Sequence, residues 1–269
     1  MKLSKLISGI TAASLIVAFA APAQATVLDA WQMTINGNNY TNIGYLNLTG
    51  GTASVVQEVN SLGSVFNGAK FQENSVTFNI SFTPNTVVGP LDSGLPISLA
   101  SADRLQLTLF PVTGHVTGSV GSGFGFVFDT GTFLLENANT LTDYATGSLV
   151  GVGGTLNQTS GFSGANGQSV ADVILASLLN GFALKDSTAT PLNLTKTMFE
   201  ATTNNNVVAV SGPGACGFAT AVAGNQCLTL GISSAGQAYL TTVPEPETLA
   251  LLGIGLLGLG ASLRKRKAV

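Results

Sequence analysis

Charge, histidine, cysteine and tryptophan are all scarce in this chain of 269 residues. Only 9% of the residues are charged, with one histidine, one tryptophan and two cysteines. Between residues 26 and 243, four basic residues (Lys70, Arg104, Lys185, Lys196) stand against eleven acidic ones, a net of −7. A negative body excludes nucleic acid and anionic lipid as partners, because both require a positive field. The single histidine, His115, cannot make a zinc site alone, and no G-x-S-x-G elbow offers it a nucleophile to activate. Its expected place is a strand end or the surface. The acids are scattered singly rather than in a D-x-D-x-D-G spacing, so neither a calcium loop nor any other cofactor is expected. Glu58, Glu73, Glu136 and Glu200 could serve glycoside hydrolysis as paired carboxylates only if the fold brought two of them together.

With so few charges, solubility has to come from the abundant Ser, Thr, Asn and Gly. Five N-x-S/T triplets, at Asn39, Asn47, Asn79, Asn157 and Asn193, follow from that composition and become glycan sites only in a suitable host. Cys216 and Cys227 lie close together in the same region, and in an oxidising compartment the simplest reading is a disulfide closing a small loop. A catalytic thiol would want a histidine partner and no neighbouring cysteine.

Alternation of apolar and polar residues is the dominant pattern between the ends. It is clearest in Val76-Thr77-Phe78-Asn79-Ile80-Ser81-Phe82, and recurs in Arg104-Leu105-Gln106-Leu107-Thr108-Leu109 and Trp31-Gln32-Met33-Thr34-Ile35. Weaker candidates are 45–48, 55–59, 115–120, 207–210 and 228–232. Period two marks half-buried strands, and many short strands separated by Gly, Asn and Pro predict a mainly β body, an antiparallel β-sandwich or similar architecture. Asn36-Gly37-Asn38-Asn39 reads as a hairpin turn. In Gly121-Ser122-Gly123-Phe124-Gly125-Phe126-Val127-Phe128 the glycines fall on one strand face and the phenylalanines on the other, which is a strand and not a phosphate loop. Ser169-Val170-Ala171-Asp172 looks like a helix N-cap with Asn180-Gly181 as its stop, so a helix is predicted over 169–180, with a shorter one over 194–201. The glycine-rich stretch 147–167 reads as a loop between a larger and a smaller part.

The two ends differ from everything between them. Lys2 and Lys5 precede an apolar run to about residue 20 and small residues ending in Ala23-Gln24-Ala25, the order of a secretory signal peptide with its cleavage site. The expected organisation is therefore a signal helix over 1–25, a secreted β-rich body over 26–243, and a tail over 244–269. That tail reads Val243-Pro244-Glu245-Pro246-Glu247, an apolar segment over 248–263, and Arg264-Lys265-Arg266-Lys267. Two prolines around Glu245 hold an extended stretch suited to a processing enzyme. As a helix the apolar segment would rise about 24 Å, short of the roughly 30 Å hydrocarbon core, and four glycines weaken it further. The basic cluster would stay on the cytoplasmic side, leaving the body outside.

A Pro-Glu-Pro box, one hydrophobic helix and a terminal basic cluster resemble the PEP-CTERM sorting signal of Gram-negative bacteria, which membrane enzymes called exosortases process. The resemblance covers only the tail. It implies signal peptidase and exosortase as processing partners, transient anchoring in the inner membrane, and a mature protein at the cell surface or in the extracellular matrix. It also implies an association with exopolysaccharide and biofilm, so that the expected role is structural or interactive and not enzymatic. The competing expectation is a carbohydrate-binding module or glycan-active enzyme on the same scaffold, for which scarce aromatics such as the lone Trp31 are unfavourable.

Overall fold

The computed structural model describes residues 26–85, 97, 99–118, 123–157, 162–218 and 221–242. Nearly all of these fall in one compact unit, Val27–Thr241; a second, Met1–Thr26 with Thr242–Val269, lies outside them but for its two bordering residues. The strands are β1 (Thr26–Val27), β2 (Trp31–Ile35), β3 (Asn38–Val59), β4 (Lys70–Pro84), β5 (Leu105–Thr117), β6 (Gly123–Asn137), β7 (Asp143–Asn157), β8 (Asn166–Leu178), β9 (Ala183–Asp186), β10 (Thr197–Gly214) and β11 (Gln226–Thr242). Their order is β1-β11-β10-β8-β7-β6-β5-β4-β3-β2-β9, and β11 pairs in addition with β3.

That last pairing corrects the sandwich. From Gln226↔Val59 to Ala238↔Leu46, β11 runs antiparallel along β3, and β3, β4, β5, β6, β7, β8, β10 and β11 become a closed eight-stranded antiparallel barrel. Alternation reports that one face of a strand is buried. It does not report whether a second sheet or the opposite wall of the same sheet buries it. The segment Asn38–Val59 joins two of the predicted strands into one of 22 residues, whose beginning pairs with β2 and whose remainder pairs with β11.

The predicted helices are also corrected. Residues 169–178 belong to β8, with Ser169, Ala171, Val173 and Leu175 buried and Asp172 and Ile174 on the outer face. Apolar residues at 170, 171, 173, 174 and 175 satisfy either period, and β-branched Val and Ile packed between two long strands favour the extended form. The Asn180-Gly181 stop is real, but it is a turn with φ of 52° and 74° after a strand. Over 194–201 the chain makes one 3-10 turn, Leu194–Lys196, before β10 begins. The stretch 147–167 is mostly strand: Gly153 and Gly154 pack so tightly against β6 and β8 that a Cβ would strike the carbonyl oxygens of Phe126 and Gln168. No α-helix occurs among the described residues, and none is long and apolar enough to cross a membrane. The predicted signal helix and C-terminal hydrophobic helix lie outside the described residues.

Other expectations hold. Trp31–Ile35 is a strand with its bounds as read, 76–82 falls on β4, 105–109 falls on β5 with Arg104 just before it, and Asn36 and Gly37 make the β2–β3 turn with φ of 50° and 82°.

Two buried clusters fill the barrel. One centres on Trp31, Phe82, Phe133 and Phe199 and the other on Val59, Phe71, Phe124 and Leu230. Between them the ladders shift register at Thr49/Thr52, Phe110/Thr113, Leu149/Val152 and Ser234/Gly236, so bulges form a belt around the waist. Each bulge inverts which residues face inward.

Each end is tied by a buried carboxylate. At the start of β3, the fully buried Asp103 accepts from Asn36 Nδ2 (2.9 Å), Asn38 Nδ2 (2.7 Å) and Tyr40 Oη (2.6 Å). At the end of β3, the equally buried Glu58 accepts from the backbone N–H of Lys70 (2.8 Å) and Val222 (2.7 Å) and from Asn225 Nδ2 (2.8 Å). Burial acts to raise the Glu58 pKa, but these donors and the Lys70 charge hold it below its ordinary value. The loop that Glu58 grips is also closed by the Cys216–Cys227 disulfide, Cα atoms 5.0 Å apart. Serine at both cysteines should lower unfolding stability by about 2–3 kcal/mol, read as a shifted denaturant midpoint. A midpoint unmoved by the double substitution would show the loop to be held by Glu58 alone.

Candidate functional site

Two places in the barrel gather polar chemistry that the packing does not consume. The first is on the outer wall, where β8, β10, β11 and β3 follow one another. Tyr45 and Tyr239 project outward because Leu46, Ala238 and Leu240 take the inward positions. Their rings stand 5.4 Å apart at 39°, and Tyr239 Oη donates to Gln237 Oε1 at 2.7 Å. On the next two strands Glu200 and Asp172 sit directly opposite one another. Like charges in that relation repel, and a sheet gains nothing from placing them there. Burial, then the Glu200 charge, push the Asp172 pKa up, and Asp172 Oδ1 is buried without a hydrogen-bond partner among the described residues. Burial, Tyr45 and the Glu200 charge likewise raise the Tyr239 hydroxyl. Two aromatic faces beside two carboxylates form a surface suited to polyhydroxylated molecules, with hydroxyls donating to the acids and C–H faces lying on the rings.

The second place is the waist of the lumen, a cavity of about 100 Å³ between the two core clusters. Its walls are largely apolar, with Phe71, Phe126 and Phe128 in mutual edge contact at 5.4 to 6.1 Å. Glu73 points into it. No group among the described residues donates a hydrogen bond to this carboxyl, and burial pushes its pKa up to about 7. On the wall made by β8, β10 and β11, Ser169, Thr203, Asn205 and Ser234 bond to one another: Ser169 Oγ to Thr203 Oγ1 at 2.7 Å, Asn205 Nδ2 to Ser169 Oγ at 2.9 Å, and Ser234 Oγ to Asn205 Oδ1.

The four acids named from sequence do not converge. Glu58 ties one barrel end, Glu73 lies in the lumen, Glu136 accepts from Gln106 Nε2 at 2.8 Å on the outer wall, and Glu200 faces Asp172. His115 is on the outer wall of β5, Nδ1 2.9 Å from Asp129 Oδ1, with Lys70 Nζ 3.9 Å from the other oxygen of that carboxylate. Trp31 is completely buried, so it is no ligand platform. Phe124, Phe126 and Phe128 do share one face of β6, and that face is the lumen. In sequence Asp172 reads as the acid of a helix N-cap, and Tyr45 and Tyr239 give no signal because each stands alone. Only barrel closure brings the tyrosines together. No group of three or more His, Cys, Asp or Glu able to hold a metal occurs among the described residues. Ala23, Ala25, Pro244, Glu245, Pro246, Arg264, Lys265, Arg266 and Lys267 lie outside the described residues.

No curated protein and no solved structure matches the chain. The PEP-CTERM protein-sorting motif does match, over residues 242–267, beginning on the last residue of β11. The chain thus carries at its C-terminal region a PEP-CTERM sorting signal, which marks it for export, exosortase-type processing and a cell-surface or extracellular location.

Proposed function

We propose that the barrel is a non-enzymatic interaction protein of the extracellular matrix that holds exopolysaccharide on the outer wall formed by Tyr45, Tyr239, Glu200 and Asp172. The observation that carries this reading is the pairing of two adjacent tyrosine rings with two opposed carboxylates on a wall that is otherwise low in charge. Sugar hydroxyls donate to the two carboxylates, and the rings supply a flat apolar contact. In the same reading, signal peptidase cuts after Ala25, the segment 248–263 holds the chain in the inner membrane, and cleavage near Pro244, Glu245 and Pro246 releases it with Arg264, Lys265, Arg266 and Lys267 removed.

Alanine at both Tyr45 and Tyr239 should weaken binding to polysaccharide purified from biofilm matrix by about ten-fold or more, measured by co-sedimentation or calorimetry with the mature chain. Equal binding by the double variant and the unaltered protein would reject the outer wall as the site. A second reading, glycan cleavage by the Asp172 and Glu200 pair, is favoured by the raised pKa of Asp172, which suits a general acid. Release of reducing ends from the same polysaccharide, abolished by Glu200→Gln, would replace the binding reading with this one.

A further inference from the structure

We propose that the waist cavity is a binding site for one small apolar amine, whose ammonium pairs with the Glu73 carboxylate while its hydrocarbon body lies among Phe71, Phe126 and Phe128. This site is separate from the outer wall and stands or falls independently of it.

Apolar residues flank Glu73 on both neighbouring strands. Its strand neighbours in register are Val55 and Val112, both buried and apolar, so neither can donate to it. The carboxyl is walled in by protein atoms, and Glu73 lines the cavity. An ionised group without donors in such a place is among the least favourable features a core can hold. A leucine there would fill the gap at no such cost, so an incoming donor is the natural complement.

Three properties of the cavity choose the ligand class. A volume of about 100 Å³ is several times a water molecule's share of the liquid and of the order of cavities known to admit benzene, so an apolar body of about that size fits. Three phenylalanine rings at 5.4 to 6.1 Å from one another offer their faces and edges to hydrocarbon, and a ring face also attracts a cation. The polar residues Ser169, Thr203, Asn205 and Ser234 already satisfy one another, and Gln57, also on the wall, donates its Nε2 to the Glu58 and Lys70 carbonyls, which leaves Glu73 as the single charged anchor. One anchor suits a monoamine and does not suit a zwitterionic amino acid, whose own carboxylate would enter unpaired beside Glu73. A neutral hydrocarbon of the same shape would leave Glu73 as it was.

The test is titration of the purified chain with benzylamine, and with toluene and benzyl alcohol as neutral matches, followed by calorimetry and by heteronuclear NMR of the lumen methyl groups. Saturable benzylamine binding at least ten-fold tighter than toluene, with shifts on Val55, Val112 and Leu149, is the expected result. Glu73→Gln keeps the shape and removes the charge, so it should lose that preference by ten-fold or more while remaining folded. Ala201→Leu, which projects into the same cavity, should exclude benzylamine and toluene alike. The proposal is overturned by an absence of saturable benzylamine binding, by toluene or benzyl alcohol binding as tightly, or by an unaltered amine preference in Glu73→Gln.

Discussion

Glutamine at position 73 is expected to leave the barrel more stable than the natural chain at pH 8 by about 3 kcal/mol, and no more stable at pH 4. Glu73 has a pKa of about 7 in the folded barrel against an ordinary 4.5. Between those values the folded chain holds a proton that the unfolded chain has released. Stability therefore falls as pH rises through that window, and the loss is complete above the folded pKa. A difference of about 2.5 pH units corresponds to about 3 kcal/mol. Glutamine never ionises and is nearly isosteric, so its variant escapes the loss. Asp172 shifts in the same direction and contributes a decline of the same sign, but it is present in both proteins and cancels in their difference. Denaturant unfolding at pH 4, 6 and 8 reads the result directly. Two stability curves that run parallel across this range would show that the Glu73 carboxyl reaches water or a donor.

The opposite pH dependence is expected at the barrel end. Asp103→Ala removes the one acceptor for three side-chain donors, Asn36 and Asn38 from the β2–β3 hairpin and Tyr40 from β3. Tyr40 Oη still accepts from the Ala100 N–H at 3.2 Å and Asn36 Oδ1 still accepts from Tyr144 Oη at 3.1 Å, but the Nδ2 groups of both asparagines lose their acceptor. Hydrogen bonds to a buried carboxylate contribute about 1.5–3 kcal/mol each, and the orphaned amides add a desolvation cost, so a loss of about 3–5 kcal/mol at pH 7 is expected. Burial acts to raise the Asp103 pKa, yet Tyr40, Asn38 and Asn36 together hold it below 3.8. The stabilisation is accordingly present above the unfolded pKa and lost as pH falls through the folded one. The gap between the natural chain and the variant should be full at pH 7 and narrow as pH falls below the ordinary aspartate value of 3.8. A loss under 1 kcal/mol at pH 7 in the same unfolding assay would mean that the hairpin docks without this acceptor.

These two residues also show what a linear reading can and cannot recover. Strand identity was legible wherever alternation ran unbroken, as in 31–35, 76–82 and 104–109. Continuing the inward set Val76, Phe78, Ile80 and Phe82 backwards assigns Gln72 and Asn74 to the interior and Glu73 to solvent. The bulge at Asn74 and Ser75 inverts that assignment, and no residue there announces it. Closure was equally invisible, because the pairing of β11 with β3 is a fact about residues some 180 positions apart and leaves no periodic trace. The helix over 169–180 failed for a different reason: its apolar residues fit both periods, and long partners on either side decided between them. The cysteines needed only proximity and were read correctly. The sorting tail was legible because a signal is recognised by its local order. Asp172 opposite Glu200 was not, since neither is remarkable beside its sequence neighbours.

Closure of the barrel by β3 and β11 also governs the order in which the molecule can be completed. Seven of the eight barrel pairings join strands that are neighbours in sequence or nearly so, and until β11 is in place the other seven strands form an open sheet whose free margins are β3 and β10. Contacts of such sequence separation are slow to form, because the loop entropy is spent before any pairing returns it. An exported chain in this state exposes two long unpaired margins to every other copy of itself. The final strand hides both at once, and it ends on Thr242, the residue at which the sorting signal begins. Sheet completion and exosortase-type processing therefore depend on adjoining stretches of chain: the strand that extinguishes self-association runs directly into the signal that marks the chain for processing.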